Sequence, residues 1–185
     1  MRLAAERSGT LAICKDRVVQ MRLRREAEGY LELGMPSHAL DALARLGDPA
    51  GFDFDALYLW GEALRAIGRY REALVPLTRA AEASPGNLHV SIALGWCYKR
   101  TGRIDMAIDS LERALATDNS NALLHYNLAC YWSLAGNKQR AVAYLSRALA
   151  LAPACRHLID DEPDFEPIRS ASEFQALCKA ASKRC

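Results

Sequence analysis

The residue types that most often carry out chemistry are scattered along this chain. Its four histidines are far apart in the sequence, and none has HExxH or CxxC spacing beside it. They are His38, His89, His125 and His157. His89 and His125 could approach each other if each opens a neighbouring helix, and two imidazoles are a start toward a zinc site. We expect instead that these histidines face solvent or a partner, and we predict no metal and no cofactor.

Nucleophiles and acids are equally isolated. Ser91, Cys97 and Cys130 fall within helical patterns that offer neither a sharp elbow turn nor an adjacent activating base. The acidic run at 160–166 is broken by prolines and lacks the spacing of a calcium-binding loop. No glycine-rich phosphate loop of either common type occurs. The sequence therefore predicts that the chain is not an enzyme.

The six cysteines show neither CxxC pairs nor the spacing of a disulfide scaffold. Cys97 and Cys130 are expected to be small buried apolar residues. The apolar run Leu11–Cys14 is too short for the core of a signal peptide or for a membrane span. These features together predict a cytoplasmic protein that does not enter a membrane.

The composition predicts a folded chain without a strong bulk charge. Hydrophobic residues make up 51% of the 185 residues, enough for a sizeable core, and the formal net charge is +2. So small a charge gives no general attraction to nucleic acid. The stretch 1–25 is locally basic, because arginines cluster between Arg17 and Arg25. It could be a packing N-terminal helix or a basic arm for an acidic partner, with nucleic acid the less expected ligand.

The elements that must position any site follow from a pattern that recurs at intervals of 34 residues from position 54 to position 155. The matching positions are Gly61, Gly95 and Ala129; Gly68, Gly102 and Gly136; Ala73, Ala107 and Ala141; and Leu77, Leu111 and Leu145. This period, with small residues, bulky residues and a closing Pro85 or Pro153, is typical of tetratricopeptide repeats. The chain therefore resembles the tetratricopeptide-repeat family.

The register predicts two antiparallel helices in each repeat. First helices are expected near 54–67, 88–101 and 122–135, and second helices near 70–83, 104–117 and 138–151. Asp53, Asn87 and Asn121 stand where a short polar side chain caps a helix. Gly68 and its equivalents should end the first helices in the left-handed conformation. The small residues, such as Gly61 and Ala73, are expected to meet where the paired helices cross.

The resemblance implies an all-α, right-handed α-α superhelix of about four repeats. We divide the chain into a basic N-terminal segment or helix (1–19), a degenerate first repeat (20–53), three repeats (54–87, 88–121 and 122–155) and a C-terminal acidic turn with a capping helix (156–185). Ser8-Gly9-Thr10 is expected to weaken or interrupt the first segment. Pro36 should lie at the start of a helix, with Ser37 as its N-cap.

The C-terminal segment also resembles a known pattern. Asp164-Phe165-x-x-Ile168-Arg169, followed by Phe174-x-x-Leu177, is similar to the closing segment of many bacterial tetratricopeptide-repeat proteins. Two prolines exclude a regular helix through 160–167, and 170–181 reads as a short helix. We expect the apolar residues to cover the end of the last repeat while the acids face water.

The resemblance implies that the first helices line a concave groove, which in this family commonly receives an extended peptide or a partner helix. Trp60 and Trp132 occupy core-facing positions. Trp96 should face the groove, because its equivalents Glu28 and Glu62 are polar. The groove residues predicted from the register are Arg24, Tyr58, Arg65, Ile92, Trp96, Lys99, Arg100, Tyr126 and Asn127. Aromatic residues edged by bases suit a peptide with apolar anchors and acidic character.

The sequence thus predicts a non-catalytic scaffold or adaptor whose partner is another protein. One alternative is self-association into a structural oligomer, through the Trp96–Tyr126 surface or the ends of the array. Another is nucleic-acid binding through the N-terminal arginines, which the near-neutral total charge disfavours. A competing interpretation of the groove is that the C-terminal cap, or a neighbouring molecule, covers Trp96 and Tyr126.

Overall fold

The structure, a computed structural model, describes the backbone of residues 2–182 and the side chains of residues 17–181. Within the described backbone every regular element is helical, which confirms the all-α prediction. The α-helices are α1 Arg2–Glu32, α2 Pro36–Ala44, α3 Phe54–Ala66, α4 Tyr70–Ala83, α5 Leu88–Arg100, α6 Ile104–Leu115, α7 Ala122–Leu134, α8 Lys138–Leu151, α9 Arg156–Ile159 and α10 Ser172–Ser182. Short 3-10 helices occupy Pro49–Gly51, Pro153–Cys155 and Pro163–Ile168. Across residues 2–182, none of these helices combines the length and the apolar character needed to cross a bilayer.

The first compact unit, unit 1, ends at Ala83 and contains α1 to α4. Short connections join α1 to α2 and α3 to α4, so each pair packs as an antiparallel hairpin. Alanines dominate the buried cluster between them, with Leu43 as its large member. Small side chains let the helix axes approach closely, which is how such short helices bury enough of their surface.

The second unit, unit 2, starts at Ser84 and contains α5 to α10. The hairpins α5–α6 and α7–α8 form its repeats, and α7 also contacts the 3-10 helix Pro163–Ile168. The fully buried side chains include Leu111, Leu128, Leu145 and Phe165. The C-terminal segment therefore contributes to the core of unit 2.

The predicted helix ends are confirmed. Asp53, Asn87 and Asn121 each accept a hydrogen bond from a backbone N–H in the first turn of α3, α5 and α7. Such a cap satisfies a donor that has no partner within the helix. Gly68 and Gly102 follow the first helices with φ of 80° and 77°, values that an L residue rarely adopts.

Two expectations for the N-terminal region are wrong. Helix α1 runs without a break from Arg2 to Glu32, so Ser8-Gly9-Thr10 does not interrupt it. Ser37 is not the N-cap of α2, because the helix begins at Pro36 and the capping position falls on Met35, which makes no side-chain cap. Proline suits the first helical position since its fixed φ is already helical and its missing N–H would have no partner there.

The small residue in the first helix lies closest to a leucine of the second helix. A Cβ placed on Gly61 would lie 2.5 Å from Leu77 Cγ, so the glycine makes room for a leucine of the second helix. At Gly95 the equivalent Leu111 is more distant, with its Cδ2 3.3 Å from such a Cβ. The repeated glycines Gly61 and Gly95 therefore lie next to the repeated leucines Leu77 and Leu111.

We predict that Gly61→Ala destabilises the protein by about 1–3 kcal/mol, because the added methyl would overlap Leu77, which is fully buried. The matched control is Gly29→Ala, also within a helix but with nothing within 4 Å of the added methyl. That change should stabilise by about 0.5–1 kcal/mol. Denaturant unfolding of both variants checks this, and a stabilising Gly61→Ala would contradict the close contact.

Candidate functional site

The C-terminal segment docks on α7 through an aromatic cluster. Phe165 is fully buried, and its ring centroid lies 5.7 Å from that of Tyr126 and 5.4 Å from that of Phe174. The Tyr126 hydroxyl donates to the carbonyl oxygen of Leu158 at 3.2 Å. Tyr126 is therefore buried, and the prediction that it is an exposed groove anchor is wrong. The cap covers it because the terminal repeat has no further repeat to do so.

An ion pair joins this segment to α5. Lys99 Nζ lies 2.6 Å from Asp164 Oδ2, and the two side chains are 16% and 13% exposed. The expectation that the acids of this segment face water is therefore wrong for Asp164. Lys99, predicted to edge the groove with positive charge, is neutralised within the chain. Because both charges are largely desolvated, removal of one partner would leave the other poorly compensated.

A thiol and two carboxylates gather beside this ion pair. The Cys130 sulfur and carboxylate oxygens of Glu162 and Asp164 lie within 4.8 Å of one another, close enough to suggest metal ligands. Burial, with a smaller effect of the two carboxylates, raises the pKa of the Cys130 thiol, so the thiolate that a metal requires is disfavoured. The ammonium of Lys99 already supplies a cation at Asp164. We therefore assign this cluster a structural role.

Trp96 lies at the surface of unit 2, as the register predicts. Its side chain is 40% exposed, and Lys99 Nζ lies 4.6 Å from its ring centroid. The ammonium thus contacts both the Asp164 carboxylate and the face of the indole. A cation over an indole is favourable and orients the ring. Trp96 is therefore an exposed aromatic group held in place from within the fold.

The other residues predicted for unit 2 surround this position to different degrees. Ile92 lies one turn before Trp96 on α5 and is half-buried, while Arg100 at the end of α5 is exposed. Asn127 is half-buried on α7, one position after the covered Tyr126. Of the site residues predicted in unit 2, Trp96 and Arg100 are exposed, and Ile92 and Asn127 are half-buried.

The residues predicted for unit 1 have internal partners. Arg24 pairs with Asp53 and Asp55, and the Arg65 guanidinium donates two hydrogen bonds of 2.8 Å to Glu62. Tyr58 is half-buried, and burial, followed by the nearby charge of Glu62, raises its pKa to about 12. Charge on this side of unit 1 is thus largely compensated within the chain.

Sequence reasoning missed a groove in unit 1 with a volume of about 640 Å³. Trp60, expected to face the core, is half-buried, packs edge-on against Phe52 at 5.6 Å, and lines this groove. Two residues of helix α4 lie along the same groove: Val75, which is exposed, and Pro76, which is buried. Trp60 aligns with apolar positions in the other repeats, so no periodic signal distinguishes it.

The histidine expectation is wrong for His125. This side chain is buried, its Nε2 donates to the carbonyl oxygen of Asn119 at 2.9 Å, and its ring packs on Tyr144. An imidazole nitrogen that donates to a carbonyl is not available to a metal. Cys97 and Cys130 are buried, as predicted.

Residues 64–129 match the sequence profile of the tetratricopeptide repeat. Over these residues the match confirms the resemblance to the tetratricopeptide-repeat family. Two solved structures share its fold. A point mutant of MamA has a TM-score of 0.70 and 22% identity, over 91% of this chain and 98% of that chain. MamA from Desulfovibrio magneticus RS-1 has a TM-score of 0.68 and 18% identity, over 90% of this chain and 97% of that one.

Two much longer proteins show sequence similarity. The TPR repeat-containing thioredoxin TTL4 of Arabidopsis thaliana is 26% identical over 150 residues, which is 81% of this chain. Anaphase-promoting complex subunit 3 of Dictyostelium discoideum is 39% identical over 59 residues, which is 32% of this chain. The matches span 20% and 6% of the lengths of those proteins. The similarity therefore concerns a part of each relative.

We predict that Lys99→Met destabilises unit 2 by about 2–4 kcal/mol, because Asp164 is left largely buried without its cation. The double variant Lys99→Met/Asp164→Leu should recover most of the loss, since no uncompensated charge remains. The matched control is Lys138→Met, whose ammonium lies 3.7 Å from Glu173 with both side chains 55% exposed. Its cost should stay below about 1 kcal/mol.

Chemical denaturation of the four proteins, wild type included, provides the free energies of unfolding for a double-mutant comparison. Equal losses in Lys99→Met and Lys138→Met would show that the Lys99–Asp164 pair is no stronger than a surface ion pair.

Proposed function

We propose that this protein is a non-catalytic adaptor that binds a peptide or a helix of another protein on the exposed first-helix surface of unit 2. Its tetratricopeptide repeats support an interaction scaffold in general terms. The observation that carries the specific proposal is Trp96, a large aromatic residue 40% exposed and oriented by Lys99. Tryptophan is enriched among the residues that dominate binding free energy at protein interfaces.

The geometry favours apolar anchoring over charge recognition at this surface. Lys99 already contacts Asp164, so it offers little net positive charge to a partner. Arg100 is exposed at the end of α5. We therefore propose a partner that presents an apolar side chain to the Trp96 ring.

A rigid aromatic surface is well suited to this function. The Trp96 ring is oriented before a partner arrives, so binding loses less side-chain entropy than it would with a freely rotating group. Covered Tyr126 is not part of this surface, which narrows the predicted site to α5 and the adjoining part of α7. The proposed interface is correspondingly small.

The test compares Trp96→Ala with Met106→Ala, whose side chain is 38% exposed on the second helix of the same repeat. A protein that wild type captures from native lysate should bind Met106→Ala with unchanged affinity. Its affinity for Trp96→Ala should be at least about tenfold lower, as expected when a central anchor is removed. Circular dichroism and thermal unfolding of both variants confirm that each is folded.

A photo-crosslinking amino acid at position 96 should link to that same partner, whereas the same amino acid at position 106 should not. Equal capture of the partner by wild type, Trp96→Ala and Met106→Ala would contradict a site at Trp96. Crosslinks at position 96 only to further copies of this chain, together with a mass that rises with concentration, would favour self-association instead.

A further inference from the structure

Helix α1 carries a second apolar surface, distinct from the one it packs into the core of unit 1. Leu23 and Ala27 are buried on the core side. Val18 and Met21 are 59% and 48% exposed. At about 100° of rotation per residue, Val18 lies roughly 140° around the helix from Leu23 and roughly 180° from Ala27. Val18 and Met21 lie roughly 60° apart around the helix, and we call these two residues the α1 stripe.

The α1 stripe is exposed because α1 is much longer than the helix it pairs with. Helix α1 has 31 residues and α2 has 9, which correspond to about 46 Å and 14 Å. A short partner covers only part of a long helix, and the arginine-rich part of α1 extends beyond it. Among the described side chains of unit 1, the stripe residues are exposed although they are large and hydrophobic. Such a surface favours an external partner.

Arginines flank the stripe. Arg17, Arg22 and Arg25 are exposed, and the stretch 17–25 contains no acidic residue. Arg24 differs, because its guanidinium is engaged by Asp53 and Asp55. The carboxylates next in sequence are Asp16, whose side chain lies outside the described residues, and Glu26, which pairs with Arg45 at 3.0 Å. Around the helix Arg22 lies roughly 40° from Val18 and Arg17 roughly 40° from Met21, on opposite sides, and Arg25 continues the row about one turn after Met21. The two apolar side chains are therefore bordered by positive charge on both sides and at the C-terminal end of the row.

We propose that the α1 stripe binds an acidic amphipathic helix of another protein. Val18 and Met21 are spaced i and i+3, the spacing at which one helix presents apolar side chains to another. Glutamates flanking the apolar seam of the partner would meet Arg17, Arg22 and Arg25. This site lies on α1 in unit 1 and is separate from the Trp96 surface, so it goes beyond the function proposed above.

Charge also argues against the other occupants. A second copy of this chain would bring arginines against arginines along the same seam, which opposes pairing. Large aromatic side chains favour the binding of a helix to a membrane surface, and residues 17–25 contain none. Nucleic acid gains from phosphate contacts, but the stripe residues Val18 and Met21 would meet phosphates with apolar groups.

The experiment uses the full chain and two synthetic helical peptides. Both carry leucine along one seam, with glutamate beside it in the first peptide and lysine in the second. We expect the glutamate peptide to bind at least about tenfold more tightly than the lysine peptide, with an affinity that falls as salt rises. Fluorescence anisotropy of labelled peptides measures both affinities.

Three variants locate the binding. Val18→Glu/Met21→Glu should lower the affinity for the glutamate peptide at least about tenfold, since the variant places negative charge on the α1 stripe. The matched control Val75→Glu changes a side chain that is 65% exposed on α4 and should leave binding unchanged. Arg22→Glu/Arg25→Glu should reverse the preference, so that the lysine peptide binds more tightly.

Several results would overturn the proposal. Failure of the glutamate peptide to bind, equal binding of the two peptides, or loss of binding in Val75→Glu as well would each contradict it. Tighter binding of phosphatidylserine-containing vesicles or of a DNA duplex, lost in the same stripe variants, would assign the surface to those ligands. A concentration-dependent dimer abolished by Met21→Glu would assign it to a second copy.

Discussion

The packing of Phe165 against Tyr126 and Phe174 is the contact on which the rest of unit 2 depends. A helical repeat at the end of an array has an apolar face with no neighbour to cover it. Phe165 fills that role together with Ile168 and Phe174, all of them buried. Full burial of a phenylalanine contributes about 2–3 kcal/mol, enough to hold a short segment whose two prolines prevent a regular α-helix.

This packing also determines which side chains remain for a partner. It covers Tyr126, and it brings Asp164 to Lys99 on α5. The ion pair removes positive charge from the first-helix surface while Lys99 supports the Trp96 ring. The docking of one C-terminal segment thus converts a predicted broad aromatic and basic surface into a smaller one centred on a single tryptophan.

The contrast between the sequence and the structure follows from the range of the interactions involved. The ends of the helices depend on residues a few positions away, such as the caps Asp53 and Asn87, so the sequence predicts them closely. The recurrence of these residues every 34 positions supports the same helix ends. The environments of Tyr126 and Lys99 depend on a segment far along the chain. The sequence allows a C-terminal cap over Tyr126 as a competing interpretation, whereas nothing in the repeat pattern indicates the ion pair between Lys99 and Asp164. The repeat pattern likewise does not indicate the buried hydrogen bond from His125 to the carbonyl oxygen of Asn119.

Hydrogen–deuterium exchange of the full chain tests most directly whether the C-terminal segment is a built-in part of unit 2. The amides of Phe165 and Arg169 donate to Glu162 and Glu166 in the structure. The account predicts that they exchange about as slowly as the amides of α7, because both open together when unit 2 unfolds. Fast exchange at 163–168, with α7 still protected, would show that the segment detaches. Tyr126 and Lys99 would then return to the exposed surface, contradicting a site restricted to Trp96.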